Sequence, residues 1–226
     1  MTEPYYQDEW VTLYHGDALG VLGGIHSAGC VIVDPPYHMT PNAIRGKDDG
    51  AASSVATPIK LLTETFQHAY RVLPAGGTAF VFCDWRRGPD VTYLASIAGF
   101  RLSTCVAWTR NRCGTGGMFR GAWDPIYVAS KGVPTVKDRA SIPNTVNADH
   151  PTSKGHPYEK PAKVWDHLLS RLPQTVVLDP YAGSCTSAVS ARRNGHKWIG
   201  IEVDERHCEA AARLLSAGVL DFEVAS

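Results

Sequence analysis

The apolar run Cys30-Val31-Ile32-Val33 stops at Asp34-Pro35-Pro36-Tyr37. An apolar run closed by two prolines reads as a short buried strand that ends there, because proline fixes φ and offers no backbone N–H for further pairing. Open α/β sheets carry their chemistry at the carboxyl ends of such strands. The junction also forms a chemical set. Asp34 and the carbonyl of Pro35 can accept the two hydrogens of an exocyclic amino group, and Tyr37 offers a π-face on which a flat base can stack. Asp-Pro-Pro is equally an ordinary exit from a strand into a turn, so this junction alone leaves both readings open.

A second junction narrows the choice. Thr175-Val176-Val177-Leu178 runs into Asp179-Pro180-Tyr181-Ala182-Gly183-Ser184-Cys185-Thr186, and an alanine-rich helical stretch follows. A strand, a small-residue loop and a helix start let backbone approach a ligand closely, with free N–H groups facing it. Lys197-Trp198-Ile199-Gly200-Ile201 reads as the next strand and ends at Glu202. An acidic residue about 20 residues after a glycine loop is the usual way to hold ribose hydroxyls. The loop has one glycine, and Cys185 stands where a second is expected. A dinucleotide pyrophosphate would be poorly cradled there, which disfavours a nicotinamide dehydrogenase. Ser184 and Thr186 also suit helix capping, a role compatible with lining a ligand.

Strand-like and helix-like segments alternate along the chain, which predicts a mostly parallel sheet covered on both faces. Leu62, Phe66, Ala69, Tyr70 and Leu73 recur at helical spacing, as do Trp165, Leu168, Leu169 and Leu172, and Cys208, Ala211, Ala212 and Leu215. These stripes are read as core. Phe100 to Trp108 and Gly121 to Lys131 read as two further strands. Residues 38–58, rich in Gly, Ala and Ser, and 133–158, rich in Pro, Asn, Thr and His, are read as functional loops. With 226 residues, 44% of them hydrophobic, the chain is expected to form one domain over 1–226.

Six cysteines, at 30, 83, 105, 113, 185 and 208, form no Cys-x-x-Cys pair and mostly fall in apolar runs, so buried free thiols in a reducing compartment are expected. No apolar stretch approaches membrane-spanning length and the amino terminus does not read as a signal peptide, so a cytoplasmic protein is expected. The histidines show no metal-ligand spacing, and no metal is expected. The 22 basic and 22 acidic residues balance to zero, whereas a nucleic-acid partner usually asks for a positive footprint. The distribution is uneven. Arg101, Arg110, Arg112, Arg120, Lys131, Lys137 and Arg139 face only Asp124 and Asp138 within their stretch, and Arg45 and Lys47 follow the first junction. One face can hold phosphates while another stays neutral or negative.

Together the two junctions resemble the amino-methyltransferases that modify adenine N6 or cytosine N4 in DNA. Asp34-Pro35-Pro36-Tyr37 is similar to that family's catalytic motif, and Asp179 to Thr186 to its S-adenosylmethionine loop. The catalytic motif precedes the cofactor loop, as in the circularly permuted β-class. Val11-Thr12-Leu13-Tyr14-His15-Gly16-Asp17, Leu73-Pro74-Ala75-Gly76-Gly77 and His156-Pro157-Tyr158-Glu159-Lys160-Pro161 resemble further family elements. The likeness extends over roughly residues 10–37, 60–132 and 156–216.

The resemblance implies a Rossmann-like methyltransferase sheet, mostly parallel, with Phe100–Trp108 and Gly121–Lys131 as an antiparallel edge pair. It implies that 38–58 closes over the target base and that 133–158 is a reduced recognition segment. Asp34, Pro35, Pro36 and Tyr37 take the catalytic roles. Glu202 accepts from the cofactor's ribose hydroxyls and Asp17 from its adenine amino group. Gly183, Ser184 and Thr186 line the methionine end with Lys160 or His156 nearby, and Asp179, Tyr181 and Ala182 complete the loop. Arg45, Lys47, Arg110, Arg112, Arg120, Lys137 and Arg139 are the expected phosphate contacts. The target base must be extruded from the duplex. No cysteine nucleophile is indicated, since Cys30 lies inside the apolar strand. Asp rather than Ser at the first motif position favours adenine N6, by analogy, over cytosine N4. Methylation of an RNA base or a protein, and binding without catalysis, stay as alternatives. So small a recognition segment suggests a short or loose target, or a homodimer that extends it, and a companion restriction endonuclease is a further candidate partner.

Overall fold

The computed structural model describes residues 3–35, 59–114, 118–151 and 159–216. Its strands are β1 (Tyr6–Gln7), β2 (Val11–His15), β3 (Cys30–Val33), β4 (Thr78–Phe82), β5 (Arg101–Thr109), β6 (Trp123–Ser130), β7 (Thr145–Asn147), β8 (Val176–Asp179) and β9 (Lys197–Glu202). Its helices are α1 (Ala18–Leu22), α2 (Ile59–Val72), α3 (Gly88–Ile97), α4 (Ala162–Leu169), α5 (Thr186–Arg193) and α6 (Glu205–Ser216). Among the described residues the strands form one sheet in the order β1-β2-β9-β8-β3-β4-β6-β5-β7.

Every residue of β3 and β4 is buried, as expected of interior parallel strands covered on both faces. Alternation then divides the apolar side chains between two cores. Ile32, Phe80 and Phe82 point to one face, where Val164, Trp165 and Leu168 of α4, Ala188 of α5 and Cys208 of α6 meet them. Val31, Val33 and Val81 point to the other, beneath Leu22 of α1, Leu62, Phe66 and Ala69 of α2 and Val91 and Leu94 of α3. The helical stripes read from the sequence are the faces that dock.

The sheet changes direction of progress between β8 and β3. β8 leads through α5 to β9 on one side, while β3 leads to β4 on the other. β3 and β8 are themselves parallel, with Cys30 opposite Val177 and Val31 opposite Leu178. The connections therefore diverge above this pair, and a crevice opens beyond its carboxyl ends. Asp34 and Asp179 stand at that opening.

β6 runs antiparallel to both β4 and β5, forming the expected antiparallel pair with β5. The edge differs from expectation. β7, inside the stretch 133–158, adds parallel to β5 outside that pair, and β1 adds antiparallel to β2 at the far edge. Among the described residues no helix is long and apolar enough to cross a membrane.

Candidate active site

Asp34 leaves β3 where the crevice opens. Its Oδ2 accepts a hydrogen bond from Lys160 Nζ at 2.5 Å, and the two side chains are only 15% and 11% exposed. Its Oδ1 is buried and has no hydrogen-bond partner. A buried acceptor left unpaired is costly, so this oxygen is suited to receive a further donor. The Lys160 ammonium also lies 5.5 Å from the centre of the Phe82 ring at the end of β4. Pro35 is buried beside Asp34. Pro36, Tyr37, Arg45, Lys47 and His156 lie outside the described residues, as does the loop 38–58.

Across the crevice, Glu202 ends β9 with 8% of its surface exposed. Its Oε2 accepts from the Gly183 N–H at 2.7 Å and its Oε1 from the Asp204 N–H at 2.8 Å. Each oxygen keeps a lone pair for a further donor. β2 pairs with β9 so that His15 faces Glu202, and the Gly16 N–H donates to the Glu202 carbonyl at 2.9 Å. This brings Asp17 to the same opening. There Asp17 Oδ1 caps α1 by accepting from the Gly20 N–H at 3.1 Å.

Between them runs the loop from β8 to α5. Asp179 is 2% exposed; its Oδ2 accepts from Ser187 Oγ at 2.6 Å and its Oδ1 from the Tyr181 N–H at 3.2 Å. Ser187 Oγ in turn accepts from Trp198 Nε1 at 3.1 Å. Burial pushes the Asp179 carboxyl up to about 7, the Ser187 hydrogen bond opposing and the charges of Asp34 and Glu202 adding to the rise. The Tyr181 hydroxyl sits 2.5 Å from Thr65 Oγ1 of α2. Thr186 Oγ1 accepts from Trp165 Nε1 at 3.2 Å, which ties the start of α5 to α4. Gly183 and Cys185 both adopt left-handed backbone, at φ +52° and +57°. A cysteine there is under backbone strain that a glycine would not carry.

These groups line one cleft of about 800 Å³. Asp34, Pro35 and Lys160 form one end, Asp17, Glu202 and the loop through Ser184 the other, and Phe82, Trp108, Trp165 and Ile201 supply apolar walls. The volume suits a small-molecule cofactor site, and acceptors converge in it between flat side chains. Phe82, Trp108, Trp165 and Asp124 were not anticipated. The signal available for Phe82 was its place at the end of an interior strand.

The basic residues divide. Arg110 pairs with Asp124 and lies 5.2 Å from the centre of the Trp108 ring. Arg112 and Arg120 are exposed on the connection between β5 and β6, which stands at the cleft end of the sheet. Lys137 and Arg139 are not brought there. The Lys137 N–H donates to the Arg171 carbonyl at 3.0 Å, and Arg171 reaches Asp138 Oδ1 at 3.0 Å, beside the turn that enters β8. That is the opposite end of the sheet from Asp34. Lys131 is likewise committed elsewhere, its ammonium donating to the Tyr70 and Leu73 carbonyls at 2.9 and 2.8 Å.

The DNA methylase model of the N6/N4 methyltransferase type matches residues 28–213. The chain is 24% identical, over an alignment of 253 positions, to the DNA adenine methyltransferase YhdJ of Escherichia coli K12, covering 93% of this chain and 84% of that protein. Its fold is similar to that of M1.HpyAVI in complex with SAM, with a TM-score of 0.72 and 19% identity over 91% of this chain and 99% of that one. It is also similar to the cytosine-N4-specific PvuII DNA methyltransferase, with a TM-score of 0.74 and 19% identity over 93% of this chain and 88% of that one. With the match spanning both junctions and the sheet between them, the chain belongs to the N6/N4 DNA methylase family.

Proposed function

We propose that this chain, as one domain, methylates the exocyclic N6 amino group of adenine in DNA with S-adenosylmethionine as donor. The observation that carries the proposal is the buried, unpartnered Oδ1 of Asp34, a residue that lines a cleft walled by flat side chains. An amino group is the complementary donor, and a base extruded from a duplex brings one on a flat ring.

The residues present fit the cofactor. Glu202 offers two oxygens with spare lone pairs, the Ala182-Gly183-Ser184 stretch has no bulky side chain, and Asp17 adds a second acceptor at the same opening. S-adenosylmethionine supplies a methyl group already activated on a sulfonium. What remains for the chain is orientation and charge. Asp34 Oδ1 and the Pro35 carbonyl would accept the two amino hydrogens, which turns the nitrogen lone pair away from these two acceptors and leaves it free for the methyl group. The Asp34 carboxylate would then stabilise the positive charge that develops on nitrogen, and the surplus proton would pass to solvent after transfer. Tyr37 supplies the stacking face.

DNA lies across the carboxyl ends of the strands in this proposal. Arg112 and Arg120 meet phosphates there, and Met118 and Phe119, 91% and 85% exposed on the same connection, stand against the duplex where the extruded base leaves a gap. The adenine assignment is supported by Asp34 at the first motif position and by the similarity to YhdJ. The test is Asp34→Ala. Transfer to DNA is expected to fall by about 10³-fold while the cofactor dissociation constant stays within a few fold. A loss confined to cofactor binding would remove Asp34 from the reacting centre.

A further inference from the structure

We propose that Lys160 is a positioning residue for methyl transfer: its ammonium holds one oxygen of Asp34 and leaves the other for the target amino group. This rests on the function proposed above. The resemblance places Lys160 or His156 near the methionine end of the cofactor, and the Lys160 Nζ lies 2.5 Å from Asp34 Oδ2 across 126 residues of sequence. Both side chains are largely withdrawn from water, so the pair is weakly screened.

Three features make this contact a device for orientation. A carboxylate turns readily about its last bond, and an ammonium on one oxygen fixes its plane. The fixed plane leaves Oδ1 buried without a partner, on a residue that lines the cleft. Lys160 itself carries donors only, so it cannot receive the amino hydrogens and does not compete with Asp34 for them.

The base of Lys160 is also held. Pro161 caps α4 with extended backbone at φ −61°. α4 packs Trp165 against Phe82, with ring centres 4.9 Å apart, and β4 is the neighbour of β3. The strand that carries Asp34 and the helix start that carries Lys160 are therefore joined through one packed core, which sets the distance between the two charges.

The test uses the full chain with Lys160→Met, Lys160→Arg, Asp34→Asn and the double variant Asp34→Asn/Lys160→Met. Lys160→Met is expected to slow single-turnover transfer at saturating S-adenosylmethionine by about 100-fold, while the S-adenosylmethionine dissociation constant changes by less than about threefold. Lys160→Arg, which keeps the charge and the donors, is expected to recover about tenfold of that loss. Lys160→Met should lower Tm, and the double variant should regain it, because the lone buried carboxylate is gone. A dissociation constant raised about tenfold with the saturating rate intact would make Lys160 a cofactor ligand and overturn the proposal. So would additive Tm changes. If the wild-type chain methylates no DNA, the proposed function fails and takes the positioning role with it, while the Tm cycle still judges the ion pair by itself.

Discussion

Asp179 is a carboxyl group buried among its own kind, with Asp34 and Glu202 nearby and Ser187 as its hydrogen-bond donor. Burial favours its neutral form, so its folded-state value of about 7 lies above the ordinary carboxylate range. Below about pH 4 it is neutral in folded and unfolded chains alike and costs nothing. Between about pH 4 and pH 7 only the unfolded chain ionises, so stability is lost as pH rises, by an amount on the order of a few kcal/mol. Asp179→Asn, neutral throughout, is expected to gain Tm relative to the wild type as pH rises from about 5 to about 8. A Tm difference that does not vary with pH would contradict the assignment. The residues at this scale were only partly legible. Asp34, Asp179 and Glu202 announced themselves as acids closing apolar runs. The partner of Asp34 did not, because nothing local ties Lys160 to a residue 126 positions away. Cys185, where a second glycine was expected, keeps a glycine-like backbone with φ at +57°.

The elements were legible where burial on both faces left an apolar run, as in β3, β4, β8 and β9. β1 and β7 have two and three residues and sit at the two edges of the sheet. So short a segment has no periodicity, and its strand state comes from the neighbour that pairs with it. β9 shows what an interior strand demands. Trp198 and Gly200 share one face, and a Cβ on Gly200 would fall 1.8 Å from the Trp198 ring. Trp198 is 1% exposed and donates to Ser187, so the ring cannot move aside cheaply. Gly200→Ala is expected to destabilise the fold by about 2 kcal/mol or more and to lower Tm by several degrees in a calorimetric scan. An unchanged Tm would mean the ring has other room. The connection between β5 and β6 gives a paired test. Arg112→Ala is expected to reduce the slope of log affinity against log salt for duplex DNA by about one. Lys137→Ala, at the other end of the sheet, is expected to leave it unchanged. A loss of slope from Lys137 alone would reverse the DNA-facing end. Sequence proximity had grouped these cations together, and only the direction of β6 separates them.

At the scale of the whole molecule, the net charge of zero is reconciled with a DNA partner by geometry. Asp17, Asp34, Asp179 and Glu202 line the cleft, where the proposed function puts cofactor and base, and the exposed Arg112 and Arg120 stand on the β5–β6 connection at the same end of the sheet. The divergence of connections at β8 and β3 fixes where that cleft lies, and the permuted order of the two motifs is no obstacle, because β3 and β8 are neighbours whatever their order along the chain. The central claim is transfer of a methyl group to adenine N6. The direct test is to incubate the purified protein with methyl-labelled S-adenosylmethionine and unmethylated genomic DNA, digest the DNA to nucleosides and identify the labelled one by mass spectrometry. Labelled N6-methyladenine is the predicted result; label on cytosine N4, or none in DNA, would contradict it.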